Sequence, residues 1–182
     1  GVTADGRPFL VMPLLLGETL RRRLDARGPL PPSAAVGVAR QVLSALAAAH
    51  RAGIVHRDVK PANVFLARDP ARPGALGRTR RERWAAGAPG DLGRALLLDF
   101  GIAKLRWTGA ELTSGEHVIG TPRYLSPEQI LGGQVDARTD VYALGLILFE
   151  AIAGRSPFAA DDPIALMRAH LTEPPPRLRD LA

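Results

Sequence analysis

Apolar positions recur along the 182-residue chain in two rhythms, and the changes of rhythm mark its elements. Leu20 and Leu24 lie one helical turn apart, which predicts a short helix from Glu18 to Ala26 with Gly28 as its stop. Val36, Ala39, Val42, Leu43 and Leu46 repeat at helical spacing, so a longer helix is expected from an N-cap at Ser33 to Gly53. Val64-Phe65-Leu66 and Leu96-Leu97-Leu98 read as short strands. From Asp140 to Ala153 the chain is apolar on nearly all sides, which predicts a helix enclosed by others and stopped by Gly154. Asp162-Pro163 opens a last helix carrying Ile164, Leu166, Met167 and His170, followed by an extended Thr172–Pro176. At the front, Asp5-Gly6 signals a turn and Phe9-Leu10-Val11-Met12 a short apolar strand. Leu14-Leu15-Leu16, taken alone, reads as plain core.

Composition narrows the class. Hydrophobic residues make up 46% and charged residues 23%, which fits a globular domain and excludes a disordered chain. There is no cysteine, so disulfides and thiolate metal sites are excluded. No signal peptide and no apolar run of about 18 residues is found. A net charge of +6 invites an acidic partner, but seven arginines against three acids between Ala67 and Ala95 supply four of those six charges. That stretch is rich in Gly, Pro, Ala and Arg. Arg80, Arg81, Arg83 and Trp84 could form a docking or nucleic-acid element. One aromatic beside a basic run is thin support, so a solvated surface insertion is preferred and no nucleic acid is expected.

The candidate chemistry sits in His56-Arg57-Asp58-Val59-Lys60-Pro61-Ala62-Asn63, read with Asp99-Phe100-Gly101. Asp58 can receive a hydroxyl proton, Lys60 can neutralise a travelling phosphate, and Asn63 can offer a carbonyl oxygen to a hard cation. Asp99, ahead of a glycine that permits a sharp turn, can supply a second oxygen. An aspartate with an intrinsic pKa of about 4 is a poor ground-state base, so its job would be to orient the hydroxyl and take the proton late. His50, near the end of its helix, reads as a structural histidine rather than a catalyst.

This pairing resembles the catalytic and metal loops of the protein kinase superfamily. Gly120-Thr121-Pro122-Arg123-Tyr124-Leu125-Ser126-Pro127-Glu128-Gln129 is similar to the end of a kinase activation segment, with Ser126 where the family usually has Ala. Asp140-Val141-Tyr142-Ala143-Leu144-Gly145 looks like the start of the long buried helix beneath a kinase active site. The wording as a whole resembles the bacterial eukaryotic-like serine/threonine protein kinases. The resemblance implies an α+β, protein-kinase-like fold, mostly the helical C-terminal lobe with the N-lobe largely absent. Residues 1–16 would be the last small-lobe hairpin and hinge, and 17–182 the large lobe with a basic insert at about 67–95.

The resemblance also implies roles. Asp58, Lys60 and Thr121 would be catalytic, and Asn63 and Asp99 would hold Mg2+ or Mn2+. Met12 would be the gatekeeper and Pro13 to Leu15 the segment meeting the adenine of ATP. Pro13 departs from the commoner Glu, but its carbonyl can accept from the adenine amino group while the Leu15 N–H donates. Phe65 and Leu98 would floor the adenine ring. Arg57 would read a phosphate on Thr113 or Ser114. His56, Phe100, Glu128 and Asp140 would be structural, with Asp140 bracing the catalytic-loop backbone. Lys60 and Thr121 match the serine/threonine class, so the expected partners are ATP and protein Ser/Thr substrates, with a kinase dimer for trans-autophosphorylation. A cytoplasmic location is expected, with any membrane anchor of the parent outside these residues. No Gly-rich loop, phosphate-pairing strand Lys or partner helix Glu is found, so the chain is expected to be a fragment, inactive alone. A kinase-like binding scaffold is the alternative.

Overall fold

The computed structural model describes residues 1–9, 11–68, 92–99 and 122–180. In order, the elements are β1 (Gly17–Thr19), α1 (Leu20–Arg27), α2 (Pro32–Arg51), β2 (Val64–Ala67), β3 (Arg94–Leu97), α3 (Pro127–Ile130), α4 (Ala137–Ala153) and α5 (Pro163–Thr172). The strands form one antiparallel sheet in the order β1-β2-β3. Register pairs Gly17 with Ala67 and Thr19 with Phe65, then Val64 with Leu97 and Ala67 with Arg94. Gly17 is required at the edge of this ladder, because a Cβ there would run into the Leu66 carbonyl oxygen. On β2 the two faces separate cleanly: Val64 and Leu66 are buried, whereas Phe65 and Ala67 are half-buried.

Local chemistry sets the helix ends. Thr19 closes β1 and caps α1, its side chain accepting from the Arg22 N–H, and Gly28 ends that helix at φ 69°. Asp136 and Asp162 cap α4 and α5 in the same way, and Gly154 stops α4 in the left-handed region. One apolar core joins Leu20 and Leu24 of α1, Val38, Val42 and Leu46 of α2, Val64 and Leu66 of β2, and Leu144 and Ile147 of α4. Helix α2 thereby packs on both α4 and β3. The loop between α2 and β2 is anchored to this core through buried Val59.

A second, smaller cluster gathers Leu146, Phe158, Leu166 and Ala169 where α5 meets α4. His170 belongs to this junction. The Phe158 ring lies 4.7 Å from the imidazole, and Nδ1 is 2.9 Å from the Tyr142 hydroxyl. Nε2 is buried with no hydrogen-bond partner among the described residues. Burial pushes the His170 pKa below the ordinary histidine value. The unfolded chain therefore takes up this proton first, and stability should fall as pH drops below about 6.5 toward the lowered folded pKa. Urea midpoints at pH 7 and pH 5 should show a smaller acid loss for His170→Phe than for the wild type. An equal loss would mean that His170 is not the group responsible.

Several sequence expectations are corrected. The Asp5-Gly6 turn forms, closed by a Val2–Pro8 bridge and by Thr3 N–H to the Arg7 carbonyl at 2.8 Å. Phe9, Val11 and Met12 belong to no strand, because the ladder ends at the Phe9 N–H to Gly1 carbonyl bond and Val11–Leu16 meets no described strand to extend it. Leu14 and Leu16 are exposed and Leu15 half-buried, so this run is not core. Glu18 and Thr19 pair with β2 instead of opening α1. Helix α2 begins at Pro32 behind Pro31, so Ser33 lies inside its first turn and does not cap it. Val36 and Leu43 face outward, and Ala35 and Val38 take the inner positions. Leu10, the middle of the basic insert (69–91), Phe100, Thr113, Ser114 and Thr121, and the rest of the segment 100–121, lie outside the described residues.

Candidate active site

Gly53, at φ 74°, turns the chain off the end of α2 and sends Ile54–Asn63 back across the core. Arg57 then adopts φ 64°, a left-handed conformation that costs a non-glycine residue roughly 1–2 kcal/mol. Asp140, fully buried in the first turn of α4, offsets that cost. Its Oδ2 accepts the His56 N–H at 2.9 Å and its Oδ1 accepts the Arg57 N–H at 2.8 Å. His50 Nε2 lies 2.7 Å from the same Oδ2. The Asp58 N–H donates to His56 Nδ1 at 3.3 Å, so the imidazole proton sits on Nε2 and is given to the Leu98 carbonyl at 3.0 Å.

Downstream, a 3-10 turn over Pro61–Asn63 folds Asn63 back onto Asp58. Asn63 Nδ2 donates to the Asp58 carbonyl at 2.8 Å and to its Oδ2 at 3.2 Å, and Lys60 Nζ reaches Oδ2 at 2.8 Å. The carboxylate thus bonds the Lys60 ammonium and the Asn63 amide while remaining partly open, at 19% side-chain exposure. Leu98 is bonded to this loop at both edges of its backbone, because its N–H also donates to the Asn63 carbonyl at 2.8 Å. Asp99 follows directly, exposed and at φ 53°. Arg57 and Asp99 are the two non-glycine residues with positive φ among those described. One precedes Asp58 and the other is the second acid, so backbone strain gathers where the acids are presented.

A divalent ion fits the donor set. Asn63 has committed its amide nitrogen to Asp58, which leaves Oδ1 as the arm available to a cation, and the exposed Asp99 directly follows Leu98, whose N–H is bonded to the Asn63 carbonyl. No cluster of three or more His, Cys, Asp or Glu residues occurs among the described residues.

The other sequence-named residues fall as follows. Phe65 lies on the outward face of β2, opposite Leu96, and Leu98 extends that face; both are half-buried. Met12 and Pro13 are exposed and Leu15 half-buried, in a segment ahead of β1. Ser126 caps α3 and shares a capping box with Gln129. Glu128 accepts a short hydrogen bond from the Thr139 hydroxyl. Burial pushes its carboxyl upward, but that hydroxyl and its other hydrogen bonds outweigh burial and hold it below the usual carboxylate range.

Four contacts were missed from sequence. His50 reaches Asp140 across 90 positions. Gln129 Nε2 donates to the Arg57 carbonyl at 3.0 Å. Glu150, buried in α4, accepts from Arg21 Nη1 at 2.7 Å and from the Tyr124 hydroxyl at 2.5 Å, tying α1 and the 122–124 turn to α4. Burial, reinforced by Glu150, raises the Tyr124 pKa well above its ordinary value, so the phenol stays a donor. A charged residue inside an apolar helix is the one signal that could have pointed to Glu150.

Residues 2–174 match a family model described as the protein kinase domain. The chain is 42% identical over 95% of its length to serine/threonine-protein kinase PknL of Mycobacterium tuberculosis. It is 45% identical over 94% of its length to serine/threonine-protein kinase PkaB of Streptomyces coelicolor. It spans 38% of the length of each of these relatives. Its fold is similar to that of Rad53 residues 1–466, solved in complex with AMP-PNP, with a TM-score of 0.58 and 21% identity over 85% of this chain and 32% of that one.

Proposed function

The chain belongs to the protein kinase domain family, among the bacterial eukaryotic-like serine/threonine kinases, and from that premise we propose that it supplies the large-lobe half of a site transferring the γ-phosphate of ATP to protein Ser or Thr hydroxyls. The observation that carries this reading is the Asp58 carboxylate held by Lys60 and Asn63, with Asp99 attached to the same loop through Leu98. Asp58 orients the incoming hydroxyl and takes its proton as the new bond forms. Lys60, at hydrogen-bond distance from Asp58, is placed to follow the transferring phosphoryl group's charge. Asn63 Oδ1 and the Asp99 carboxylate would hold Mg2+, which when bound neutralises charge on the phosphate oxygens. Phe65 and Leu98 present an apolar face on which an adenine ring can rest, with Pro13 and Leu15 offering backbone groups to its edge. Thr121 would join Asp58 and Lys60, and Arg57 would receive a phosphate from Thr113 or Ser114. Retention of all four polar groups favours an enzyme over a binding-only scaffold.

The test is direct. A full-length chain carrying these residues, given Mg-ATP and a generic basic peptide, should phosphorylate Ser or Thr and stop when EDTA is added. Binding of ATP without any transfer would favour the scaffold and sink this reading. The 182-residue polypeptide by itself contains no Gly-rich loop to cover the phosphates, and little or no transfer is expected from it. Appreciable transfer of labelled phosphate by that polypeptide would overturn the expectation.

A further inference from the structure

Gln129 makes two kinds of bond at once. Its Oε1 accepts from the Ser126 N–H at 3.1 Å, completing the capping box of α3, and its Nε2 donates to the Arg57 carbonyl at 3.0 Å. Both backbone partners are unambiguous, one a donor and one an acceptor, so only one orientation of the side-chain amide satisfies them. A capping box needs only the oxygen, and Glu serves as well as Gln at that position. The amide nitrogen is therefore surplus to the helix, and its partner lies 72 positions away.

That partner is the peptide group joining Arg57 to Asp58. Its carbonyl is held by Gln129 and its N–H by His56 Nδ1. The preceding peptide is held through the Arg57 N–H, and the one before that through the His56 N–H, both by Asp140. Three successive peptide planes are pinned, and the last of them carries Asp58. Arg57 sits in the left-handed region, so release of one plane lets this residue relax and swings the Asp58 backbone with it.

Resting on the kinase reading above, we propose that Gln129 is a positioning residue for catalysis, fixing the Arg57–Asp58 peptide and so coupling the segment around α3 to the aim of the Asp58 carboxylate.

Gln129→Glu separates this role from capping. It keeps the oxygen for Ser126 but sets a second carboxylate oxygen against the Arg57 carbonyl, where nothing donates. In the full-length chain it should lose less thermal stability than Gln129→Leu, because the cap is kept, while kcat falls about tenfold with KM for ATP little changed. A protonated Glu can donate to that carbonyl, so the ratio of variant to wild-type kcat should climb as pH is lowered from 8 toward 6. Gln129→Leu should lose both the cap and the bridge, with lower stability and no recovery at low pH. Hydrogen exchange over residues 54–63 should be faster in both variants than in the wild type, with the core of α4 unchanged. If Gln129→Glu matches the wild type in kcat and in exchange, or matches Gln129→Leu in every readout, Gln129 is a helix cap only and the proposal is wrong. If the wild-type chain transfers no phosphate, the kinase reading fails by itself, and the exchange comparison still decides whether the bridge holds the loop.

Discussion

Asp58→Asn, in a chain that also carries a complete nucleotide cradle, should lower kcat by about a hundred- to ten-thousand-fold, with KM for ATP nearly unchanged. The amide is the same size as the carboxylate, and the Asp58 carbonyl keeps its bond from Asn63 Nδ2. What goes is the ability to take a proton and the charge that attracts Lys60 Nζ across 2.8 Å. The comparison variant, Asp99→Asn, should fail differently, by raising the Mg2+ concentration needed for turnover, because that group is assigned to the metal and not to the hydroxyl. Near-normal turnover in Asp58→Asn, or a shift in its metal requirement instead of its kcat, would remove the proton-accepting role from Asp58. Titrating Mg2+ at saturating peptide separates the two variants.

The second large effect belongs to Asp140→Asn. The wild-type carboxylate takes the His56 and Arg57 N–H groups and lies against His50 Nε2, and it is wholly enclosed. An amide of the same shape offers one oxygen and turns its other arm into a donor facing a donor. A buried N–H left without an acceptor costs roughly 1–3 kcal/mol. The left-handed strain at Arg57 loses part of its restraint as well. The expected result is a fall in unfolding free energy of about 2 kcal/mol together with a drop in kcat on the order of a hundredfold. Urea unfolding and initial-rate kinetics on the same preparation would check both. Lost stability with untouched kcat would show that Asp140 supports the fold without aiming Asp58.

How much of this was legible in the sequence follows from the range of each interaction. Caps and stops were readable because their chemistry is local: Asp162 before Pro163, Gly28 and Gly154 after their helices. The strands around Val64–Leu66 and Leu96–Leu97 were readable from their apolar runs. Ser33 misled because a proline can itself start a helix, and Pro32 does so one residue earlier. Glu18 and Thr19 misled because their strand exists only through pairing with residues nearly fifty positions on. The apolar run at Leu14–Leu16 misled for the opposite reason: hydrophobicity does not say whether a surface is present to cover it. The acids and their neighbours in the site were legible as a spacing. Their bracing by His50, through Asp140, and by Gln129 was not, since these bonds span 90 and 72 positions and no periodicity records them.

The sheet register has an evolutionary corollary. Ala67 and Arg94 stand opposite one another across the β2–β3 ladder, and the Arg68 N–H is tied to the Leu16 carbonyl. Whatever polypeptide joins those two strands must leave and return through the same doorway. Closing a loop there becomes only about 0.6 kcal/mol harder each time its length doubles. Lineages could therefore lengthen or trim this junction, or splice in foreign sequence, with the geometry of Asp58 and Asp99 screened from the change by the ladder itself.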